Sequence, residues 1–134
     1  MTQKNNLLKR YPLHKKADPR GWLIQNEVKE VADNMQHFLI SFSKPGAIRG
    51  NHYHTRKRDW FCVIQGKARL YLYDMKTKEK YSTILRGNKP EIVEISSPTV
   101  HTIENIGSEQ LIFFEIVNEQ FNPMDEDTFP FKLR

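Results

Sequence analysis

Gly46-Ala-Ile-Arg-Gly-Asn-His-Tyr-His-Thr-Arg-Lys-Arg-Asp59, followed after six more residues by Gly66, has the spacing G-x5-H-x-H-x4-D-x6-G. In an extended strand, residues i and i+2 project from one face, so His52 and His54 aim their imidazoles at a common point from Cα atoms about 7 Å apart. A turn and the start of the next strand return Asp59 beside them. His101 opens a later strand, in Pro98-Thr-Val-His-Thr-Ile-Glu-Asn105, and offers a third imidazole from the facing side. Three histidines and a carboxylate make a ligand set for a divalent metal. Each residue also has an ordinary reading: a lone strand histidine is commonly a core residue, and Asp59 has Arg56 and Arg58 as ion-pair partners in the same turn. The combination is what favours a site. His14 and His37 lack such neighbours and read as ordinary surface or core histidines.

Outward from this stretch, short β-like runs alternate with turn residues. The candidate strands are Gly21 to Asn26, Gln36 to Phe42, Asp59 to Gln65, Lys67 to Met75, Lys78 to Leu85, Glu91 to Ile95, His101 to Ile106 and Leu111 to Asn118. Lys44-Pro45-Gly46, Gln65-Gly66, Arg86-Gly87-Asn88-Lys89-Pro90, Ser96-Ser97-Pro98 and Ile106-Gly107-Ser108 punctuate them with turn chemistry. Only Glu27 to Asp33 resembles a helix. The fold class is all-β, and eight short runs suit a sandwich or jelly roll. At 134 residues the chain is expected to form a single domain with one core, a barrel over about 21–118 and a packed tail over 119–134.

Strand alternation adds a second inference. In Asp59 to Gln65 both faces are worth burying, with Asp59, Phe61 and Val63 opposed to Trp60, Cys62 and Ile64; Leu111 to Val117 behaves alike. The outer apolar faces need a cover, and a homodimer with sheets of two subunits in contact is the expected one. Lys67 to Tyr73 sets Ala68, Leu70 and Leu72 against Arg69, Tyr71 and Tyr73, a polar face suited to a ligand or to solvent. Cys62, the one cysteine, reads as an inert core thiol.

The net charge of +5 favours an anionic partner, yet the lysines and arginines are spread in short clusters. No zinc-finger, helix-turn-helix or RNA-binding aromatic pattern is present, so nucleic acid is not expected as a partner. No apolar run approaches the roughly 20 residues that a membrane span requires. MTQKNNLLKR lacks the apolar stretch of a secretory signal, which makes a soluble cytoplasmic protein the expectation.

The spacing resembles the first cupin motif, with Asp59 where a glutamate usually stands, and His101-x3-Asn105 resembles the core of the second. More narrowly, Ile48-Arg-Gly-Asn-His-Tyr-His54, Phe61-Cys-Val-Ile-Gln-Gly-Lys-Ala68, His101-Thr-Ile-Glu-Asn-Ile-Gly107 and Asn118-Glu-Gln-Phe-Asn-Pro123 with Asp127-Thr128 look like the C-terminal cupin domain of the bifunctional capsular UDP-sugar epimerase-reductases. That domain binds zinc and epimerises a keto sugar nucleotide before a separate domain reduces it, so the resemblance implies at most the epimerising half. Asp18-Pro-Arg-Gly-Trp22 and Arg49-Gly-Asn-His52 are similar to segments of dTDP-4-dehydrorhamnose 3,5-epimerases, in which the histidine matching His52 is the base and no metal is needed. The dTDP-sugar 3,4-ketoisomerases carry a similar Arg-Gly-x-His-x-His. Asp59 departs from the glutamate and lysine of these patterns, and Ser96-Ser97-Pro98 from a Pro-Pro-Gly turn.

The resemblance implies a cupin jelly roll that epimerises or isomerises a nucleotide-linked keto-deoxy sugar by moving a proton next to a ketone. His52 is the candidate base; His54, His101, or one divalent metal, zinc first, would stabilise the enolate. The candidate metal ligands are His52, His54, Asp59 and His101. If metal takes His52, Tyr71 or Tyr73 is next in line as base. Arg20 and Arg49 are the candidate diphosphate holders, with Asn51 beside them as a further substrate contact. A cupin that binds a nucleotide sugar without turning it over, and a metal-dependent oxygenase, are the competing readings.

Overall fold

The computed structural model describes residues 7–134, and among them it places twelve strands and one short helix. Strands β1 (Leu8–Pro12), β4 (His37–Ser43), β6 (Asp59–Gln65), β9 (Glu91–Ile95) and β11 (Leu111–Val117) form an antiparallel sheet in the order β1-β9-β6-β11-β4. Strands β5 (Ile48–Tyr53), β7 (Lys67–Asp74), β8 (Lys80–Arg86), β10 (Thr99–Asn105) and β12 (Phe129–Pro130) form the other, ordered β12-β5-β10-β7-β8. A separate hairpin joins β2 (Lys16–Asp18) to β3 (Gly21–Leu23), and α1 spans Lys29–Asn34. The architecture is the jelly roll that the spacing of the apolar runs anticipates.

The pleat decides what lies between the sheets. Phe61 and Val63 of β6, Leu70 and Leu72 of β7, Val93 of β9 and Phe113 of β11 meet in one buried cluster. Side chains of this size stabilise by about 1.5–3 kcal/mol each when fully buried. On β7 the alternation is complete: Ala68, Leu70 and Leu72 face the core, while Tyr71 and Tyr73 lie on the outer side. The C-terminal tail covers that outer side, with Phe131 stacked on Tyr73 at 5.3 Å and the Arg134 guanidinium 5.2 Å from the Tyr71 ring. The polar face of β7 is therefore occupied by the chain's own tail.

The outer face of the first sheet has a cover that sequence alternation did not anticipate. Trp60, Cys62, Ile92 and Ile116 pack under Val31 of α1, with Tyr11, Leu13, Ile24 and Val28 around them. The chain thus supplies a second small core itself, which is why β6 is buried on both faces from Asp59 to Val63. Among the described residues, the large apolar groups left uncovered on this outer face include Phe38, Ile40 and Phe42 of β4, at 57, 46 and 53% exposure. Cys62 is buried as expected, and burial pushes its thiol up to about 11.

Local chemistry explains the shifted boundaries in the N-terminal third. The Asn26 side chain accepts from Val28 N at 2.9 Å and donates to Val28 O at 3.1 Å, a closed turn that ends the extended run. Glu27 binds His14 through both the backbone N–H and Nδ1, so the helix starts at Lys29. Strands β1, β2 and β12 have few apolar residues to mark them, and β1 is fixed instead by pairing with β9 and by the Arg10–Glu91 ion pair. No helix among the described residues is long and apolar enough to cross a membrane.

Candidate functional site

Strands β5 and β10 set His52 directly opposite His101, and a register shift follows between His101 and Thr102. The irregularity rests on two consecutive left-handed residues, Gly50 at φ 93° and Asn51 at φ 55°. A Cβ at position 50 would lie 2.6 Å from the His101 carbonyl oxygen, so only glycine permits this approach. His54 follows just past the strand end. The ring centroids of His52 and His101 are 4.6 Å apart, and each lies 5.2 Å from that of His54. One ligand atom from each ring falls within 4.8 Å of the other two.

Backbone carbonyls fix two of the tautomers. Nδ1 of His54 donates to the Asp127 carbonyl at 2.7 Å, and Nδ1 of His101 to that of Thr99 at 3.3 Å. A carbonyl can only accept, so both Nε2 atoms present lone pairs in the neutral rings. They converge on Asp59 Oδ2, 2.8 Å from His54 Nε2 and 3.7 Å from His101 Nε2. Asp59 Oδ2 and His101 Nε2 are both buried without a partner in hydrogen-bond geometry, the close His54 contact included. His54, Asp59 and His101 border a space of about 10 Å³. Two imidazole nitrogens and a carboxylate around such a space form a donor set that a small cation fits.

A larger cavity of about 210 Å³ opens between the two sheets, walled by Arg49, His52 and His101 on one side and Ser41, Phe113 and Glu115 on the other. Burial, with His54 nearby, lowers the pKa of His52, so its ring is neutral near pH 7. Burial takes His101 down to about 4. At His54 burial also acts downward, but the Asp59 carboxylate and the Asp127 carbonyl outweigh it and the pKa is raised. Burial and the neighbouring Asp59 charge push Glu115 up to about 8, which keeps its carboxyl protonated at neutral pH.

The remaining sequence candidates divide. Arg49 reaches the cavity, anchored by Nε to Ser43 Oγ at 2.8 Å and by one terminal nitrogen to the Phe42 carbonyl at 3.2 Å. Arg20 does not join it: the side chain pairs with Asp18 in the exposed turn of the β2–β3 hairpin. Asn51 is also displaced from the cavity, because its Oδ1 accepts from Leu133 N and Arg134 N and so ties down the tail. Tyr71 and Tyr73 face away from the histidines by the pleat of β7, since Leu72 pairs with His101 in register and Tyr71 donates to Glu104 at 2.8 Å. Asp59 turns to the histidines, while Arg56 pairs with Glu119 and Asp125, and Arg58 with Glu30 and Glu94.

Residues 16–129 match the family described as Polysaccharide biosynthesis C-terminal domain. The chain belongs to that family. Over 118 residues it is 36% identical to a UDP-2-acetamido-2,6-beta-L-arabino-hexul-4-ose reductase of Pseudomonas aeruginosa, covering 88% of this chain and 30% of the relative. It is similar to the capsular polysaccharide assembling protein CapF of Staphylococcus aureus, at 30% identity and TM-score 0.71 over 92% of this chain and 35% of that one. The chain thus spans about a third of both relatives. A dTDP-6-deoxy-D-glucose-3,5-epimerase of Legionella pneumophila, at 18% identity, shares the cupin jelly roll with TM-score 0.79, over 96% of this chain and 74% of that one.

In this member of the polysaccharide biosynthesis C-terminal domain family, two residues at the site escaped the sequence reading. Glu115 is a lone acid on the otherwise apolar inward face of β11, and that mismatch with its neighbours was the available signal. Asp127 lies 73 residues from His54 in the chain, at φ 48°. Its carboxylate accepts from the backbone N–H groups of Thr55, Arg56 and Lys57 and from the Thr55 hydroxyl. These contacts hold the carboxyl well below the usual range against the upward effect of burial. Only its place in the Asp127-Thr128 resemblance pointed to it.

Proposed function

We propose that the chain is an epimerase or isomerase of a nucleotide-linked keto-deoxy sugar destined for cell-surface polysaccharide, acting by proton transfer next to a ketone. The observation that carries this reading is a neutral imidazole, His52, facing a cavity whose opposite wall holds a protonated carboxyl, Glu115. Epimerisation needs one group to take the α-proton and another to return a proton from the other side. His52 takes it and Glu115 returns it. Clefts enclosing a whole drug-sized ligand measure roughly 300–1,000 Å³. At about 210 Å³ this cavity takes the sugar ring and leaves the nucleotide outside. Arg49, two of whose nitrogens are anchored, keeps further N–H donors for a phosphate at the mouth.

Asp59 Oδ2, on which His54 Nε2 and His101 Nε2 converge, fits one divalent ion together with them, and zinc suits the nitrogen-rich set. Bound there, it would supply Lewis-acid stabilisation of an enolate oxygen. This division keeps His52 off the metal and free as base. The exposed Phe38, Ile40 and Phe42 stripe supports a homodimer. A nucleotide-linked substrate and a buried free thiol suit the cytoplasm.

The P. aeruginosa relative is named for a UDP-linked sugar, so UDP-4-keto-6-deoxy sugars are the first substrates to try, with dTDP analogues beside them. In heavy water the protein should incorporate deuterium at the carbon next to the ketone. Nucleotide-sugar binding with no incorporation for any of these substrates would leave a non-catalytic binding cupin and overturn the proposal.

A further inference from the structure

Three turns meet at the end of β6 opposite the one that carries Asp59. Gln65-Gly66 ends β6, whose first residue, Asp59, belongs to the histidine cluster; Arg86-Gly87-Asn88 and Gly107-Ser108 close the other two turns. With Lys15 and Trp22 of the N-terminal segment they wall a cleft of about 530 Å³, larger than the barrel cavity and well inside the range that encloses a small ligand. Arg10, Arg20, Arg56, Arg58 and Arg134 have carboxylate partners, whereas among the described residues Arg49, Arg69 and Arg86 form no ion pair. Lys67 and Arg86 line the cleft half-buried, and among the described residues their side chains form no ion pair. Glu109 lines the same cleft without pairing to either.

Lys67 and Arg86 stand opposite each other across β7 and β8, and like charges directly opposite are destabilising until an anion bridges them. The cleft also holds an aromatic surface, Trp22, 45% exposed with Lys15 Nζ 4.3 Å from its ring centroid. We infer that this cleft is a second binding site, for a nucleoside diphosphate, with the diphosphate between Lys67 and Arg86 and the base against Trp22. The two cations supply charge-assisted contacts to the phosphates, and Arg86 can meet one of them with a bidentate fork. Indole offers the base a sequence-tolerant stacking plane. The site is separate from the barrel cavity and stands whether or not His52 is a base. It would let the nucleotide released by sugar transfer report back on the enzyme that prepares the sugar.

Trp22 gives the site its own reporter, because the other tryptophan, Trp60, is buried at 1% exposure. Titrating the full chain with UDP should change tryptophan emission, and Trp22→Phe should abolish the change. Arg86→Gln and Lys67→Ala should each weaken this affinity roughly tenfold to a hundredfold, the worth of a charge-assisted contact. Arg49→Ala and His52→Asn should leave it unchanged, and added salt should weaken it. Thermal unfolding of each variant checks that it is folded. No emission change at millimolar UDP would overturn the inference. So would a change lost in Arg49→Ala and kept in Arg86→Gln, which would put the nucleotide in the barrel cavity alone, or pyrophosphate and UDP binding with equal affinity, which would remove the base from the site.

Discussion

The backbone carbonyl of Asp127 accepts a hydrogen bond from Nδ1 of His54 at 2.7 Å, joining the C-terminal tail to the histidine cluster across 73 residues. The same residue's carboxylate gathers three backbone N–H groups of the loop after His54. One tail residue thus sets both the tautomer of His54 and the path of the chain leading to Asp59. An outer partner of this kind typically changes metal affinity by about 10–100-fold when removed.

Asp127→Ala should therefore act on two observables. The Lys57 N–H is buried and those of Thr55 and Arg56 part-buried; leaving a buried N–H unpaired costs about 1–3 kcal/mol, so the melting temperature should fall by several degrees. Zinc affinity, measured by competition with a chelating dye, should fall with it. Asp127→Asn, which keeps one carboxamide oxygen as acceptor, should recover part of both. Equal zinc affinity in the wild type and the alanine variant would detach the tail from the cluster.

The proposed division of labour, with His54 and His101 as metal ligands and His52 as base, predicts a split phenotype. His54→Ala and His101→Ala should lose bound zinc, read by elemental analysis. His52→Asn should retain it while losing deuterium incorporation. Tyr71→Phe should do neither, since Tyr71 faces the tail; its cost is the hydrogen bond to Glu104, about 0.5–1.5 kcal/mol of stability. Loss of zinc in His52→Asn would make His52 a ligand and move the base elsewhere.

Glu115 predicts a pH dependence of stability in the metal-free protein. Its folded pKa, about 8, lies above the ordinary value of 4.5. Below 4.5 the group is protonated in both states and costs nothing. As pH rises from there to about 8, the unfolded chain ionises and the folded one does not, so stability is lost across that window. Glu115→Gln is neutral throughout. Its melting temperature should match the wild type near pH 4 and exceed it near pH 8; parallel curves would show that Glu115 is not held protonated.

Gly50→Ala should be among the most damaging small substitutions. The residue sits at φ 93°, and the added methyl would lie 2.6 Å from a backbone oxygen that cannot swing aside. Left-handed strain alone costs about 1–3 kcal/mol. Urea unfolding should show at least that loss. Gly46→Ala is the control, being also at positive φ but with nothing within 4 Å of the added carbon; an equal loss in both would mean that the close approach at position 50 contributes nothing.

The His-x-His spacing was sufficient to place His52 and His54 together, because strand geometry fixes i and i+2 without reference to the rest of the chain. His101 was legible because it lies in a strand that turn residues delimit, although that strand starts two residues earlier, at Thr99. The division of β6, β7 and β11 into two faces followed from alternation as well. What alternation cannot supply is which side of a strand is inside. Tyr71 and Tyr73 were assigned a possible role on a polar face that proved to be the outer one, closed by Phe131 and Arg134. Arg20 and Asn51 lie away from the cavity for a related reason: their sequence neighbours resemble binding segments, but Asp18 and the tail occupy their side chains.

The sequence by itself determined the strand periodicity, the turns between strands and the local pairing of His52 with His54, all of which act over a few residues. Only the tertiary structure decided that Asp59 points to the histidines instead of Arg56 or Arg58, that Glu115 forms the far wall of the cavity, and that Asp127 anchors His54. Each of these joins segments distant in the chain. Their energies depend on burial and on which polar groups remain unpaired, and neither quantity exists until the two sheets have closed on one another.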